Sequence, residues 1–182
     1  MKVAETDIAG VKLVEPKVFG DDRGSFFESW REDAMARAGI GGPWVQDNHS
    51  LSVRNVLRGI HYQISQTQGK LVRVVRGAVY DVAVDLRRSS PTFGRWIGHE
   101  LSARNRLMLW VPPGFGHAFL TLSDEAECLY KCTDYYAAEH ERTIVWNDPV
   151  LAIDWPLGDD TEPLLSAKDV GGARLCDAEL YP

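Results

Sequence analysis

A mainly β fold, a sandwich or a barrel, is what this sequence predicts, on three observations. Apolar residues alternate with period two: in "GAVYDVAVDLR" (77–87), Tyr80, Val82, Val84 and Leu86 fall on one face and Val79, Asp81, Ala83 and Asp85 on the other. Such runs are rich in β-branched residues, and glycine or proline punctuates them at short intervals. One stretch reads clearly as a helix, whereas the many short strands with polar turns belong to a sandwich or barrel.

Taken in chain order, the helix comes first. Ser29 and Glu32 have capping-box spacing, "REDAMARA" (31–38) continues the helix, and Gly39 suits the position just past its end. A strand through His61 and Gln63 places both side chains on one face. Further strands are expected at "KLVRVVRG" (70–77), at 77–87, and at "GRWIGHEL" (94–101), "RLMLWVPPG" (106–114), "HAFLTLSD" (117–124) and "AECLYKCTDYY" (126–136). A short helical turn is expected after Ser166. "WPLGDDTEPLLS" (155–166) reads as a proline-bearing connection into a tail rather than a boundary, so residues 1–182 are expected to form a single domain.

Composition narrows the function classes. The chain has 182 residues, 45% hydrophobic and 25% charged, the balance of an ordinary globular protein. No apolar run approaches the roughly 20 residues of a membrane span, and "MKVAETDIAG" lacks a signal-peptide core, so a cytoplasmic location is expected. A net charge of −6 argues against a nucleic-acid surface but leaves room for an anionic small ligand held by a few arginines. Three cysteines, Cys128, Cys132 and Cys176, are read as reduced thiols. Cys128 and Cys132 lack a second Cys/His pair at zinc-ligand spacing, so they are expected to be buried and inert.

The chemistry concentrates in "RGIHYQISQTQGKLVRVVRG" (58–77) and "VPPGFGHAF" (111–119). His61, Gln63, Lys70 and Gly77 in the first, with His117 after the Pro-Pro-Gly turn of the second, reproduce the spacing of the two cupin motifs. In metal cupins those motifs supply three histidines and a glutamate. Here two histidines remain, and a lysine stands at the glutamate position. An ammonium has no lone pair to offer and repels a divalent ion, so a metal-free site is expected. Two histidines, an ammonium and Asp81 on one interior suggest proton chemistry on a polar organic ligand.

The sequence resembles the dTDP-4-dehydrorhamnose 3,5-epimerase family. The resemblance runs through "LVEPKVFGDDRGSFFESW" (13–30), "WVQDNHSLSVRNVLRGIHYQ", "LVRVVRGAVYDVAVDLRRSSPTFGRW", "WVPPGFGHAF", "LYKCTDYYAAEHERTIVWNDP" and "LSAKD" (165–169), with the last dozen residues adding little. It implies a cupin-like double-stranded β-helix (jelly-roll) barrel with short flanking helices, acting without metal or redox cofactor on a dTDP-4-keto-6-deoxy sugar. The protons at C3 and C5 are acidic because the C4 ketone delocalises the carbanion as an enolate. The resemblance implies His61 as base, Asp169 as its partner, Lys70 at the enolate oxygen and Tyr130 as proton donor on the opposite face. A neutral imidazole titrating at about 6.5 suits the first role, and a phenol at about 10 the last. Ser166 and Asp169 also have capping-box spacing, so Asp169 has a local reading as a cap. Tyr136 corresponds to an aromatic stacked on thymine. Arg23, Glu28, Gln46, Asn48, Arg58, His117, Glu141 and Lys168 correspond to ligand contacts, arginine matching diphosphate through its planar fork. Asp81 is a further candidate inner contact. Residues 15–30 are implied to form an arm exchanged within a homodimer, placing Arg23 and Glu28 at the neighbour's site. Gly69, where the family commonly has a small apolar residue, is a mild departure.

The reaction the resemblance implies is a double epimerisation, of dTDP-4-dehydro-6-deoxy-D-glucose to dTDP-4-dehydro-6-deoxy-L-mannose for rhamnose synthesis. Three alternatives stand beside it. A mono-epimerase for another deoxysugar would exchange one proton only. A metal-dependent cupin such as a dioxygenase would need better ligands than Gln63 and Lys70. A non-catalytic nucleotide-sugar binder would leave the base, cation and acid without a role.

Overall fold

The computed structural model describes residues 1–158 and 160–182; Asp159, within the 155–166 connection, lies outside the described residues. Strands β1 (Lys2–Glu5), β2 (Lys12–Glu15), β3 (Val18–Asp21) and β4 (Gly24–Phe27) precede helix α1 (Glu32–Arg37). Then come β5 (Gln46–Val53), β6 (Leu57–Gln63), β7 (Lys70–Arg76), β8 (Ala78–Asp85), β9 (Trp96–Ser102), β10 (Met108–Val111), β11 (Phe115–Thr121), β12 (Glu125–Cys132) and β13 (Glu141–Thr143). Helix α2 (Ala167–Val170) follows.

The strands form two antiparallel sheets, ordered β1-β2-β10-β7-β12-β5 and β13-β6-β11-β8-β9, with β3–β4 a separate hairpin. Alternation decides what each face meets. Val72 and Val74 of β7 point between the sheets and join Leu109, Val111 and Cys128 from their own sheet with Val79, Ala83, Leu101, Phe115 and Phe119 from the other. The preceding Leu71 points outward to Met35, Ile40 and Trp110 beneath α1. On the second sheet Val82, Val84 and Leu86 point outward and are covered by Trp155, Leu175, Ala178 and Tyr181. Each fully buried aliphatic side chain contributes about 1.5–3 kcal/mol, so the covers matter as much as the inner layer. The two faces expected for residues 79–86 are the two faces observed.

Both ends of α1 are informative. Arg31 is the N-cap and no side chain caps the first turn, so the capping box expected from Ser29 and Glu32 is not formed. Charge does the work instead: Glu32 and Asp33 lie in the first turn, and Arg31 Nε meets Asp33 Oδ1 at 2.7 Å. The C-terminus follows expectation. Gly39 takes φ 70°, with Gly39 N–H on the Ala36 carbonyl (3.0 Å) and Ile40 N–H on that of Met35 (2.9 Å), and Met35 and Ile40 are both fully buried.

The expected turn after Ser166 is α2, capped by Ser166 in a full capping box. Cys128 and Cys132 are buried and free, and Cys176 is exposed and free. The last residues form a strap along β6. The Tyr62 hydroxyl donates to the Glu179 carbonyl and the Tyr181 hydroxyl to that of Gln63, each at 2.6 Å.

Candidate active site

Between the sheets, bordered by Val111 and Phe115 of the apolar layer, lies a cavity of about 330 Å³. β6, β11 and β13 supply His61, Gln63, Arg58, His117 and Glu141 from one sheet; β5, β7 and β12 supply Gln46, Asn48, Lys70 and Tyr130 from the other. Tyr136 and Lys168 line its mouth.

His61 is placed by a close approach of β6 to β11. Gly59 takes φ 122°, and a Cβ there would lie 2.4 Å from Ala118 Cβ and 2.6 Å from the His117 carbonyl oxygen, so a side chain is excluded. That approach pairs His61 with His117 across the ladder. Behind His61, the Asp169 carboxylate divides its oxygens. Oδ1 meets His61 Nε2 at 2.6 Å and accepts from Gly59 N–H at 3.2 Å; Oδ2 accepts from the Ser166 hydroxyl at 2.6 Å. Cap and histidine partner are therefore one residue, and the two sequence readings of Asp169 are compatible. Burial would raise the Asp169 pKa, but the bonds from His61, Ser166 and Gly59 outweigh it and hold the carboxyl at about 2. An ionised carboxylate only accepts, so His61 Nε2 carries the hydrogen and Nδ1 keeps its lone pair. Burial lowers the His61 pKa, Asp169 opposes it, and Lys168 and Lys70 add to the lowering. The net shift favours the neutral imidazole.

Lys70 opens β7 between Cys132 of β12 and Val111 of β10. Its ammonium has no hydrogen bond or ion pair among the described residues, leaving its donors free toward the cavity it lines. Burial pulls its pKa below the ordinary lysine value, with Cys132, Glu141 and Asp81 opposing. Gly69 before it is required by space: a Cβ there would lie 2.4 Å from the Trp110 ring. Tyr130 sits between Asn48 and Val72. Burial raises its pKa, so the phenol keeps its proton.

Other sequence-selected residues fall into three places. His117 lines the cavity, and its Nε2 lies 3.0 and 3.1 Å from the two oxygens of Asp81. Asp81 is fully buried and does not line the cavity, and among the described residues its carboxylate's hydrogen-bond partner is His117, which does. At the mouth, Glu141 accepts from the Tyr136 hydroxyl at 3.0 Å and from Lys168 Nζ at 2.8 Å. Arg58 Nε donates to the Ser52 hydroxyl at 3.1 Å, and Gln46 Nε2 to Asn48 Oδ1 at 3.1 Å. Arg23 and Glu28 do not line this cavity. Arg23 is exposed on the β3–β4 hairpin, paired with Asp21 at 2.6 Å, and Glu28 meets Arg31 at 3.6 Å. Sequence reasoning missed Tyr181 in the cavity wall. The spacing of Leu175, Ala178 and Tyr181 by threes is the signal that the tail packs.

Comparison with known proteins follows from this geometry. Residues 5–177 match the family model described as dTDP-4-dehydrorhamnose 3,5-epimerase. The dTDP-4-dehydrorhamnose 3,5-epimerase of Pseudomonas aeruginosa is 59% identical over 184 residues, spanning 100% of each chain. The structure of the dTDP-6-deoxy-D-glucose-3,5-epimerase of Legionella pneumophila, in complex with dTDP-4-keto-L-rhamnose, matches with TM-score 0.95 at 48% identity over 99% of this chain and 97% of that one. A 3′-monoepimerase from Streptomyces bikiniensis, in complex with dTDP-quinovose, matches with TM-score 0.86 at 40% identity over 94% and 86%. The mainly β, cupin-like fold expected from the sequence is the fold these neighbours share with it.

Proposed function

The chain belongs to the dTDP-4-dehydrorhamnose 3,5-epimerase family, and from that premise we propose that this epimerase inverts a dTDP-linked 4-keto-6-deoxy sugar at both C3 and C5. The substrate in this reading is dTDP-4-dehydro-6-deoxy-D-glucose and the product dTDP-4-dehydro-6-deoxy-L-mannose. The observation that carries it is His61, backed by Asp169, on one wall of a cavity whose other sheet supplies Lys70 and Tyr130.

In each half-reaction His61 Nδ1 takes the proton on carbon, and the C–H electron pair moves through the C3–C4 or C5–C4 bond onto the ketone oxygen. Lys70 donates to that oxygen as its charge grows, the kind of fixed stabilisation that lowers a barrier by about 3–4 kcal/mol. Asp169 steadies the imidazolium that forms. Tyr130 then gives its proton to the opposite face of the carbon, and solvent returns both groups to their starting states. Gln46, Asn48, Arg58, His117, Glu141 and Lys168 hold the sugar and diphosphate, with the Tyr136 ring against thymine.

Incubation with substrate in deuterated water tests this reading. Deuterium at both C3 and C5 of the product is expected. Label at one carbon only would make it a mono-epimerase, like the Streptomyces bikiniensis relative, and no label would remove the epimerase reading.

The same reading assigns the β3–β4 hairpin to a partner subunit of a cytoplasmic homodimer, each chain one domain. Its support is that the hairpin joins neither sheet and exposes Phe19 at 54% and Phe26 at 70%, with Arg23 at its turn. Sedimentation as a monomer at micromolar concentration would exclude the exchange.

A further inference from the structure

Gln63 occupies the position where a metal cupin carries a histidine, and its side chain is spent on backbone. It is 4% exposed. Its Nε2 donates to the Gln66 carbonyl at 2.6 Å and the Tyr135 carbonyl at 3.2 Å, and its Oε1 accepts from Ala137 N–H at 2.9 Å. Tyr135 and Ala137 are the two neighbours of Tyr136. The N–H of Tyr136 itself donates to Gln46 Oε1 at 2.9 Å. Two glutamines, one from each sheet, thus hold three consecutive residues of the segment between β12 and β13. Tyr136 is 55% exposed, and among the described residues its side chain's one hydrogen bond is from the hydroxyl to Glu141. The backbone beneath it therefore sets where the ring stands. The Gln63 carbonyl is in turn fixed by the Tyr181 hydroxyl.

We propose that Gln63 is a positioning residue for the nucleobase subsite, fixing the backbone on both sides of Tyr136 so that its ring is oriented before the ligand arrives. The inference rests on the reading above that Tyr136 packs against thymine. The residue type follows from the bonds. An amide presents donors and an acceptor from one planar group; a carboxylate would face two carbonyls with no hydrogen to give, and a neutral imidazole has one donor. Preorganising a contact raises affinity by removing the ordering cost from the binding step.

A double-mutant cycle with dTDP as titrant tests it by calorimetry. Gln63→Ala is expected to weaken dTDP binding roughly tenfold, the scale of one or two lost hydrogen bonds, and to raise KM more than it lowers kcat. Tyr136→Ala is expected to weaken dTDP at least as much, and the double variant no further than Tyr136→Ala alone. Additive losses, or wild-type affinity in Gln63→Ala, would overturn the role of Gln63 while leaving that of Tyr136 standing. Wild-type affinity in Tyr136→Ala would overturn the stacking reading and the inference with it. Should Gln63→Ala not fold, Gln63→Glu, which keeps the acceptor for Ala137 and loses both donors, takes its place in the same cycle with the same outcomes.

Discussion

His61→Ala loses solvent-deuterium exchange at both C3 and C5, by about 10²–10⁴-fold, while dTDP affinity stays within a few-fold of wild type. The expectation follows from where the contacts lie. His61 Nε2 is occupied by Asp169, which leaves Nδ1 as the free nitrogen of a residue that lines the cavity. The groups proposed to hold the nucleotide end, Tyr136, Glu141 and Lys168, are hydrogen-bonded through Glu141, with no hydrogen bond to His61 among the described residues. The fold tolerates the change because Asp169 keeps Gly59 N–H and the Ser166 hydroxyl, which anchor α2 to β6. Mass spectrometry of product from deuterated water reads the exchange, and calorimetry reads the binding. Exchange at the normal rate in the variant would remove His61 from the chemistry.

Lys70→Met separates activity from stability. The side chains are of similar length, so the variant removes an ammonium and little volume. A fall in kcat of about 10²–10³-fold is expected, the loss typical of one donor aimed at a developing oxyanion. The melting temperature should hold or rise, because no described side chain is paired with the ammonium and burial already disfavours its charged form. A variant that melts lower and turns over normally would make Lys70 a structural residue. Steady-state rates alongside thermal unfolding decide between the two.

Much of the fold could be read from alternation because the two faces of β7 and of β8 have different neighbours, β8 being largely buried on both. Val72 and Val74 meet the opposite sheet while Leu71 meets the layer under α1. The start of α1 could not be read that way, since Ser29 has the right chemistry but lies two residues before the N-cap that forms. Ser166 has the same chemistry at the right place, and its cap fixes the carboxylate that meets His61. His61, Lys70 and His117 were legible in the spacing of the two cupin-like motifs and Tyr130 only through the family resemblance, and all four line one cavity. Asp81 was a candidate for the same interior, and only the packing shows that its carboxylate meets His117 and does not line the cavity. Tyr181 and the amide bonds of Gln63 were not legible. The Tyr181 bond to the Gln63 carbonyl and the Gln63 bonds to Tyr135 and Ala137 join segments more than 70 residues apart in sequence, and the spacing by threes in the tail shows that it packs but not against what.

The initial rate of deuterium wash-in against pH bears most directly on a neutral imidazole acting as base beside a fixed cation. Burial first, then Lys168 and Lys70, place the His61 pKa below 6.5, against the opposing pull of Asp169. Only the unprotonated form accepts hydrogen, so the rate should climb with pH to a half-maximum below 6.5 and then level off. It should fall again at alkaline pH as Lys70, lowered from 10.5 by burial, gives up its proton. A half-maximum above 6.5, or an acid limb unchanged when His61 is replaced, would contradict the account.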